Sequence, residues 1–439
     1  MIKKHFKTST IVFGIIISVF MIFTLFKCKP EPKAGAKGTK PITKVSKPIK
    51  INKINFYFEN SGSMKGYLNG DNFQQTVHRI LRNSENDNLN PYFVNTKQYF
   101  EPNIIGKIVK KDIKTLGIEN SDHQFIFTNA IKNAVGNNLS IVVTDGIYSM
   151  KDGNIAIVEI DIEDAFTKAL EANKNNIETV VLKMSSNFKG TYYTESKDCN
   201  NVTINQERPY YILLFGNKAV INKALKEIVV IKDLEGYKEQ ARFLITKDLA
   251  INYTVLTKGE EKKGNFKSKD FKPIVNEIVD AEKFSQKGVL LKDTYLQFAI
   301  AVDYSNLSIP DSYLTNKSNY SIVDNTDYEV VEIKLVDKLS KNSKSYLSIE
   351  KLNEKGNYKY THLIVVKAKT KLYGDLKINL NMNFPQWISQ TGTIDDCSIK
   401  NDSTTTFAFD RLMKGISIAY EKASTKKEYF EIKINIKAN

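Results

Sequence analysis

Short apolar runs alternate with amphipathic stretches through the first half of the chain, and this alternation limits the possible folds more than any other feature. The runs at 54–58, 139–143, 179–182 and 210–215 have the length and composition of buried strands. Apolar strands that alternate with helices are typical of a mostly parallel sheet covered by helices on both faces. The sequence therefore predicts an α/β domain over residues 51–232.

Apolar residues spaced three or four apart predict the helices between these strands. We expect Thr128 or Asn129 to cap the second helix, because hydroxyl and amide side chains accept hydrogen bonds from the first free backbone N–H groups. A further short strand is predicted at 91–94. The predicted helices are 73–81, 128–135, 162–170 and 219–228.

The helical alternation fades after about residue 243, where short runs of strand-forming residues replace it. Polar turns separate these runs, and many short strands at modest spacing favour a β-sandwich. We therefore expect a β-rich, sandwich-like C-terminal domain at 243–439, with one late helix over 404–420. The predicted strands are 243–246, 250–256, 295–302, 328–335, 345–349, 362–368, 376–382 and 429–436.

The N-terminal residues 1–28 predict export or membrane anchoring. Lysines precede an uncharged, mostly apolar run at Ser9–Phe26, and Cys28 follows directly. This arrangement resembles a bacterial lipoprotein signal, in which the cysteine is lipidated and becomes the mature N-terminus. An uncleaved single-span anchor is the alternative. Residues 29–50 are rich in lysine and proline and predict an extended linker, so we expect a membrane-anchored protein of the cell envelope, facing the periplasm or the exterior.

Charge and cysteine content exclude several other classes of protein. The net charge of +15 comes from 64 Lys and Arg against 49 Asp and Glu, but only five of the basic residues are arginines. Since arginine is the preferred side chain for phosphate and base contacts, we predict a solvated basic surface and no nucleic-acid partner. Three cysteines are too few for a disulfide-dense scaffold. Cys199 and Cys397 could pair or remain free thiols.

One group of oxygen-bearing side chains is positioned for chemistry at the ends of the predicted strands. Glu59, Ser61 and Ser63 follow the first strand, Asp145 follows a later strand, and Thr128 begins the helix between them. In open α/β sheets, ligands bind outside the carboxyl ends of the strands. Two carboxylates and three hydroxyls suit Mg²⁺, or Mn²⁺ or Ca²⁺, better than Zn²⁺ or Cu²⁺.

These residues resemble the metal-ion-dependent adhesion site of a von Willebrand factor A domain. The family pattern is Asp-x-Ser-x-Ser, then a distant Thr, then a distant Asp on a later strand. The chain has Glu-Asn-Ser-Gly-Ser at 59–63, followed by Thr128 and Asp145 in the same order. The resemblance covers residues 51–232 and implies a Rossmann-like fold. Glu59 departs from the family, which has Asp at this position.

The resemblance also implies a role for each of these residues. Ser61, Ser63 and Thr128 would hold one divalent cation directly or through water, while Asp145 and Glu59 would act mainly through bridging waters. The free coordination position would take a carboxylate from a protein partner. We therefore expect a membrane-tethered binding protein that engages an exposed acidic residue of its partner.

An enzymatic function has less support in the sequence than a binding function. There is no Gly-x-Ser-x-Gly nucleophile motif and no phosphate-binding Gly-x-x-x-x-Gly-Lys loop. A metal-dependent envelope hydrolase of phosphoesterase type remains the alternative function, because acidic and hydroxyl groups around Mg²⁺ also serve that chemistry. A metal-free scaffold is a third possibility, since Glu59 could crowd the site. The expectation is a binding protein rather than an enzyme.

Overall fold

The structure is a computed structural model that describes residues 49–437 with several short gaps. The expected signal segment and Cys28 lie outside the described residues. None of the described helices is both long enough and apolar enough to cross a membrane. The gaps are residues 86–87, 115, 117–119, 150–153, 175, 198, 247–248, 270–272, 286–293, 325–326 and 357.

Seven strands of the first half form one mixed sheet. They are β1 (Lys53–Glu59), β2 (Leu89–Val94), β3 (Gln98–Phe100), β4 (Asn138–Thr144), β5 (Glu178–Tyr192), β6 (Val202–Gly216) and β7 (Tyr237–Phe243). Their order across the sheet is β3-β2-β1-β4-β6-β5-β7. β1 runs parallel to β2 and β4, whereas the other four neighbouring pairs are antiparallel.

The prediction of a mostly parallel sheet is therefore wrong, and the connection between β5 and β6 is one physical reason. A parallel neighbour needs a crossover of a dozen or more residues, usually through a helix. Only residues 193–201 separate β5 from β6, so the two strands pair as a long antiparallel hairpin.

Helices cover both faces of this sheet, as predicted. Along β1, Phe56 and Phe58 point into one core and Tyr57 into the other, because successive strand residues face opposite sides. The helices are α1 (Met64–Tyr67), α2 (Asp71–Ser84), α3 (Ile104–Val109), α4 (His123–Asn133), α5 (Ile155–Ala172) and α6 (Lys218–Glu227). Helices α2 and α6 contribute to the first core, and α4 and α5 contribute to the second.

The second half contains two further sheets that share one apolar core. Their strands and those of a short extra pair are β8 (Asn252–Val255), β9 (Asn265–Ser268), β10 (Glu277–Glu282), β11 (Leu296–Asp303), β12 (Tyr320–Val323), β13 (Tyr328–Leu335), β14 (His362–Ala368), β15 (Gly374–Asn381), β16 (Gly392–Thr393), β17 (Thr406–Phe407) and β18 (Glu428–Lys437). The first sheet has the order β12-β15-β18-β10-β9 and the second the order β13-β14-β11-β8. The short parallel pair of β16 and β17 lies outside both.

Four α-helices accompany these strands among the described residues, so the expectation of a single helix in this half is wrong. They are α7 (Asp311–Leu314), α8 (Lys344–Gly356), α9 (Gln386–Thr391) and α10 (Phe409–Ala423). The strand predicted at 345–349 is part of α8. The side chain of Glu260 accepts the backbone N–H groups of Lys344 and Ser345, and this distant cap starts the helix.

The late helix α10 packs on the first sheet rather than on the two later ones. Phe409, Leu412 and Ile416 join the core that α4 and α5 form over that sheet. At Gly415, α10 approaches α5 so closely that a Cβ atom on this glycine would lie 2.5 Å from the Glu159 carbonyl oxygen of α5. The second half of the chain thus completes one face of the first sheet.

Candidate functional site

Two carboxylates meet where β1 and β4 end. Glu59 is the last residue of β1, and Asp145 directly follows β4. Because β1 and β4 are parallel neighbours with Phe58 opposite Val143, their carboxyl ends share one edge of the sheet. Both carboxylate residues are only 1% exposed. The fold therefore brings the two acidic groups to the strand ends that the sequence predicted, and it buries them there.

The loop after β1 brings two hydroxyl groups to these carboxylates. The Ser61 and Ser63 Oγ atoms lie 3.1 Å apart, and the Ser63 hydroxyl donates a hydrogen bond to Asp145 Oδ2. The two serines are 8% and 7% exposed, respectively. Four of the five predicted metal-site residues, Glu59, Ser61, Ser63 and Asp145, are thus assembled in one buried cluster.

Thr128, the fifth predicted residue, does not join this cluster. Helix α4 begins at His123, and the Asp122 side chain caps it by accepting the Phe125 N–H at 3.0 Å. Thr128 therefore sits in the second turn, where it lines an open groove of about 660 Å³ between α4 and α5. The prediction that Thr128 or Asn129 caps this helix is wrong because Asp122 offers an earlier cap.

Ser121 lies beside Glu59, where Thr128 was expected. Its buried hydroxyl faces the Glu59 carboxylate and opposes the rise in the pKa of Glu59 that burial causes, although it forms no hydrogen bond of regular geometry to a described residue. The sequence carried a signal for this residue. Ser121 and Asp122 directly precede the helical apolar spacing, as residues before a helix start commonly do.

His123 and Thr144 complete the surroundings of Glu59. The Thr144 hydroxyl donates to Glu59 Oε2 and accepts the Gly146 N–H at 2.9 Å. His123 Nε2 lies 3.2 Å from Thr144 Oγ1 and 3.8 Å from Glu59 Oε2. With the Thr144 hydroxyl proton on Glu59, the His123 tautomer that carries its hydrogen on Nε2 satisfies this contact. Neither residue was singled out from the sequence as a site residue.

Burial disfavours the charged form of both carboxyl groups in the cluster. Burial raises the pKa of Glu59, against the opposing hydrogen bonds of its hydroxyl neighbours. Burial and then the charge of Glu59 raise the pKa of Asp145 to about 7. Burial also lowers the pKa of His123, which favours its neutral form. No lysine or arginine among the described residues forms an ion pair with Glu59 or Asp145.

Aromatic side chains enclose the cluster from two directions. A Cβ atom at Gly62 would lie 2.8 Å from the ring of Tyr193, which comes from the tip of the β5–β6 hairpin. Gly146 has φ +71° and packs against the rings of Tyr211 and Phe409. These two rings stack with centroids 3.7 Å apart. The site is therefore covered by the hairpin and by the segment that precedes and begins α10.

A disulfide joins Cys199 at the hairpin tip to Cys397 in the second half. The carboxylate of Asp395 lies close to both sulfur atoms. In the disulfide the sulfurs are not thiolates, so this group offers no metal-binding sulfur while the bond is intact. The structure thus supports one of the two alternatives that the sequence left open for these cysteines.

No protein-family model, curated protein or solved structure matches this chain.

Proposed function

We propose that the chain holds one divalent cation, Mg²⁺ or the similar Mn²⁺ or Ca²⁺, at the cluster of Glu59, Ser61, Ser63, Ser121 and Asp145. The cation would capture an exposed carboxylate of a protein partner. The observation that carries this proposal is the pair of buried, uncompensated carboxylates among hydroxyl groups. Burying one charged group costs several kcal/mol unless an opposite charge accompanies it.

The donor set fits a hard cation. Every side chain in the proposed site offers oxygen, and oxygen ligands are those that Mg²⁺, Mn²⁺ and Ca²⁺ prefer. The two carboxylates would balance the double positive charge. When bound, the cation would act as a Lewis acid toward the partner's carboxylate, while Ser61, Ser63 and Ser121 would position it.

The arrangement of strands supports the resemblance to a von Willebrand factor A domain. The order β3-β2-β1-β4 corresponds to the first part of the doubly wound order 3-2-1-4. β2 lies on one side of β1 and β4 on the other, so the chain changes direction across the sheet at this point. Ligands in such sheets bind at this switch point. β3, which is antiparallel to β2, departs from the doubly wound pattern, and so do the antiparallel strands β5, β6 and β7.

The disulfide supports the proposed location in the cell envelope. Structural disulfides persist in oxidising compartments and are rare in the cytosol. With the lipoprotein-like sequence that ends at Cys28 and the lysine-rich linker at 29–50, the proposal is a binding protein tethered to a membrane by lipid or by an N-terminal helix. We assign it no enzymatic activity and no nucleic-acid partner.

Calorimetric titration of Mn²⁺ and Mg²⁺ into the full chain tests this proposal. We expect saturable binding of one ion per chain, which is lost in Ser61→Ala/Ser63→Ala. The matched control is Ser343→Ala/Ser345→Ala, a pair with the same spacing whose second serine also contacts carboxylates, at the start of α8. The control should bind as the wild type does. Absence of binding in the wild type would favour the metal-free scaffold instead.

A further inference from the structure

Residues 392–408 form a segment, here called the strap, that crosses the β5–β6 hairpin beside the candidate site. Its two ends pair as β16 and β17, so the strap is a closed loop. The Gln206 side chain of β6 donates to the Ile399 carbonyl oxygen at 2.8 Å, and the Tyr211 and Thr406 hydroxyls lie 2.9 Å apart. On the side of the site, the Tyr148 N–H donates to the Phe407 carbonyl oxygen at 3.4 Å.

The strap supplies the oxygen atoms that bind Arg208. This arginine of β6 is 2% exposed, and its Nη1 and Nη2 atoms donate to the Asp402 and Thr405 carbonyl oxygens, each at 2.6 Å. Its Nε has no hydrogen-bond partner among the described residues, and none of their carboxylates forms an ion pair with it. The guanidinium lies over the Tyr192 ring, 5.1 Å from its centroid. A buried guanidinium therefore binds two neutral oxygens where such groups usually bind a carboxylate.

Arg208 lies on the same edge of the sheet as the candidate site. In the antiparallel pair of β4 and β6, Thr144 is opposite Tyr211. Arg208 is three residues before Tyr211, so it is level with the loop that leaves β4 after Asp145. The charges of Arg208 and Asp145 both act on the pKa of the Tyr67 phenol. Burial raises its pKa, Arg208 acts to lower it and Asp145 acts to raise it further.

We infer that the strap occupies the partner's position at this site. Its two carbonyl oxygens on Arg208 stand in for the carboxylate oxygens of an acidic side chain, which Arg208 and the cation bind together once the strap is displaced. This inference rests on the proposed function and adds two things to it. Arg208 becomes a second anchor for the acidic residue of the partner, and the strap becomes an internal competitor.

The strap is fastened at the hairpin tip. Asp396, which is buried, accepts the N–H groups of Glu195 and Ser196, both at 3.0 Å, and the next residue forms the Cys199–Cys397 disulfide. The same tip carries Tyr193 over the loop of Ser61 and Ser63. A dithiol that is itself oxidised to a disulfide would supply two electrons and two protons and convert the bond into two thiols. Reduction would then loosen both covers of the site.

Binding of an acidic peptide to the full chain in Mn²⁺ tests the inference. The probe is a fluorescent peptide of Gly and Ser with one Asp, and the same peptide with Asn is its control. We expect at least tenfold tighter binding of the Asp peptide after reduction with a dithiol, and the same gain in Cys199→Ser/Cys397→Ser. Arg208→Lys, which keeps the charge but lacks the planar fork, should remove most of that gain.

Asp396→Asn provides a second route that leaves both cysteines in place. Hydrogen exchange of the strap amides reports its release independently of any ligand. Released strap amides with unchanged peptide affinity would overturn the inference, while Mn²⁺ binding would leave the proposed function standing. Strap amides that stay protected in every variant would overturn the inference that Asp396 and the disulfide hold the strap in place. Absence of Mn²⁺ binding in both redox states would remove the proposed function and the inference with it.

Discussion

Two clusters in this molecule place carboxylates beside a Ser-x-Ser sequence. One cluster disfavours the ionised carboxylate, whereas the other stabilises it. In the candidate site, Glu59 and Asp145 face each other and the pKa of each is raised. In the second cluster, here called the helix-cap cluster, Glu260 and Glu261 meet Ser345 at the start of α8. There burial acts to raise the pKa of Glu260, but backbone and side-chain hydrogen bonds outweigh it and bring it to about 2.

The difference lies in what compensates the charge. The helix-cap cluster has backbone N–H groups at a helix N-terminus for Glu260, and Lys334 lies 3.2 Å from Glu261. The candidate site has hydroxyl groups and a histidine whose burial favours its neutral form. A carboxylate cluster that only stabilises the fold is thus compensated within the fold, and the candidate site lacks such compensation among the described residues. This contrast is the physical basis for expecting a cation there.

The largest expected effect is a pH dependence of stability in EDTA. Between pH 4 and 7, folded Asp145 keeps a proton that the unfolded chain has released, because its pKa rises from 3.8 to about 7 on folding. This group's contribution to the free energy of unfolding therefore falls as pH rises through that window, by up to about 4 kcal/mol. Urea denaturation of wild type and Asp145→Asn, compared pH by pH, measures it. Parallel curves for the two proteins would contradict the expectation.

Neutralising one glutamate in each cluster should change stability in opposite directions. In EDTA at pH 7.5, Glu59→Gln should raise the free energy of unfolding by about 1–2 kcal/mol, because it removes an uncompensated buried charge. Glu261→Gln should lower it by a similar amount, because Lys334 and Ser345 lose an ionised partner. Chemical denaturation checks both. Destabilisation by both variants would show that the two clusters are alike.

The two candidate hydroxyls at and before α4 should differ in their effect on cation binding. Ser121→Ala should weaken Mn²⁺ binding about tenfold, equivalent to about 1.4 kcal/mol, because it removes a hydroxyl that faces Glu59. Thr128→Ala should leave the affinity unchanged, since Thr128 lines the groove between α4 and α5. Calorimetry on both variants measures their Mn²⁺ affinities. The reverse pattern would restore the assignment made from sequence.

The smallest effect is expected at Glu260, which is exposed to solvent. Its lowered pKa means that its stabilising contribution is present above about pH 4.5 and is lost as pH falls through about 2. Glu260→Gln should therefore cost less than about 1 kcal/mol at pH 7, and the cost should shrink toward pH 2. Denaturation midpoints of both proteins across this range provide the test. A cost that grows on acidification would be inconsistent with the helix-cap role.

The part of the site that sequence could predict is local. Glu59, Ser61 and Ser63 lie in one loop, and Asp145 follows a neighbouring parallel strand, so the end of each apolar run placed them correctly. The start of α4 was missed although Ser121 and Asp122 directly precede its apolar spacing. Asp and Thr are both common caps, so local preference alone does not choose between Asp122 and Thr128.

The features that sequence missed depend on distant contacts. The hairpin of β5 and β6 contributes antiparallel pairs to the sheet, and its outer half has too few apolar residues to predict a strand. Helix α8 is capped by Glu260, which lies far away in sequence. The strap and α10 contact the first sheet from near the end of the described chain. No local pattern in residues 392–423 indicates which surface they cover.

The packing of α10 has a consequence for how the protein is made. Strands β1 to β7 leave the ribosome long before residues 409–423, which bury Phe409, Leu412, Ile416 and Tyr420 over one face of that sheet. Until then, the apolar surface under α10 has no cover, and such surfaces attract chaperones or aggregate. Chains arrested during synthesis before residue 409 should therefore need a holding factor, and the candidate site would be complete only after α10 has docked.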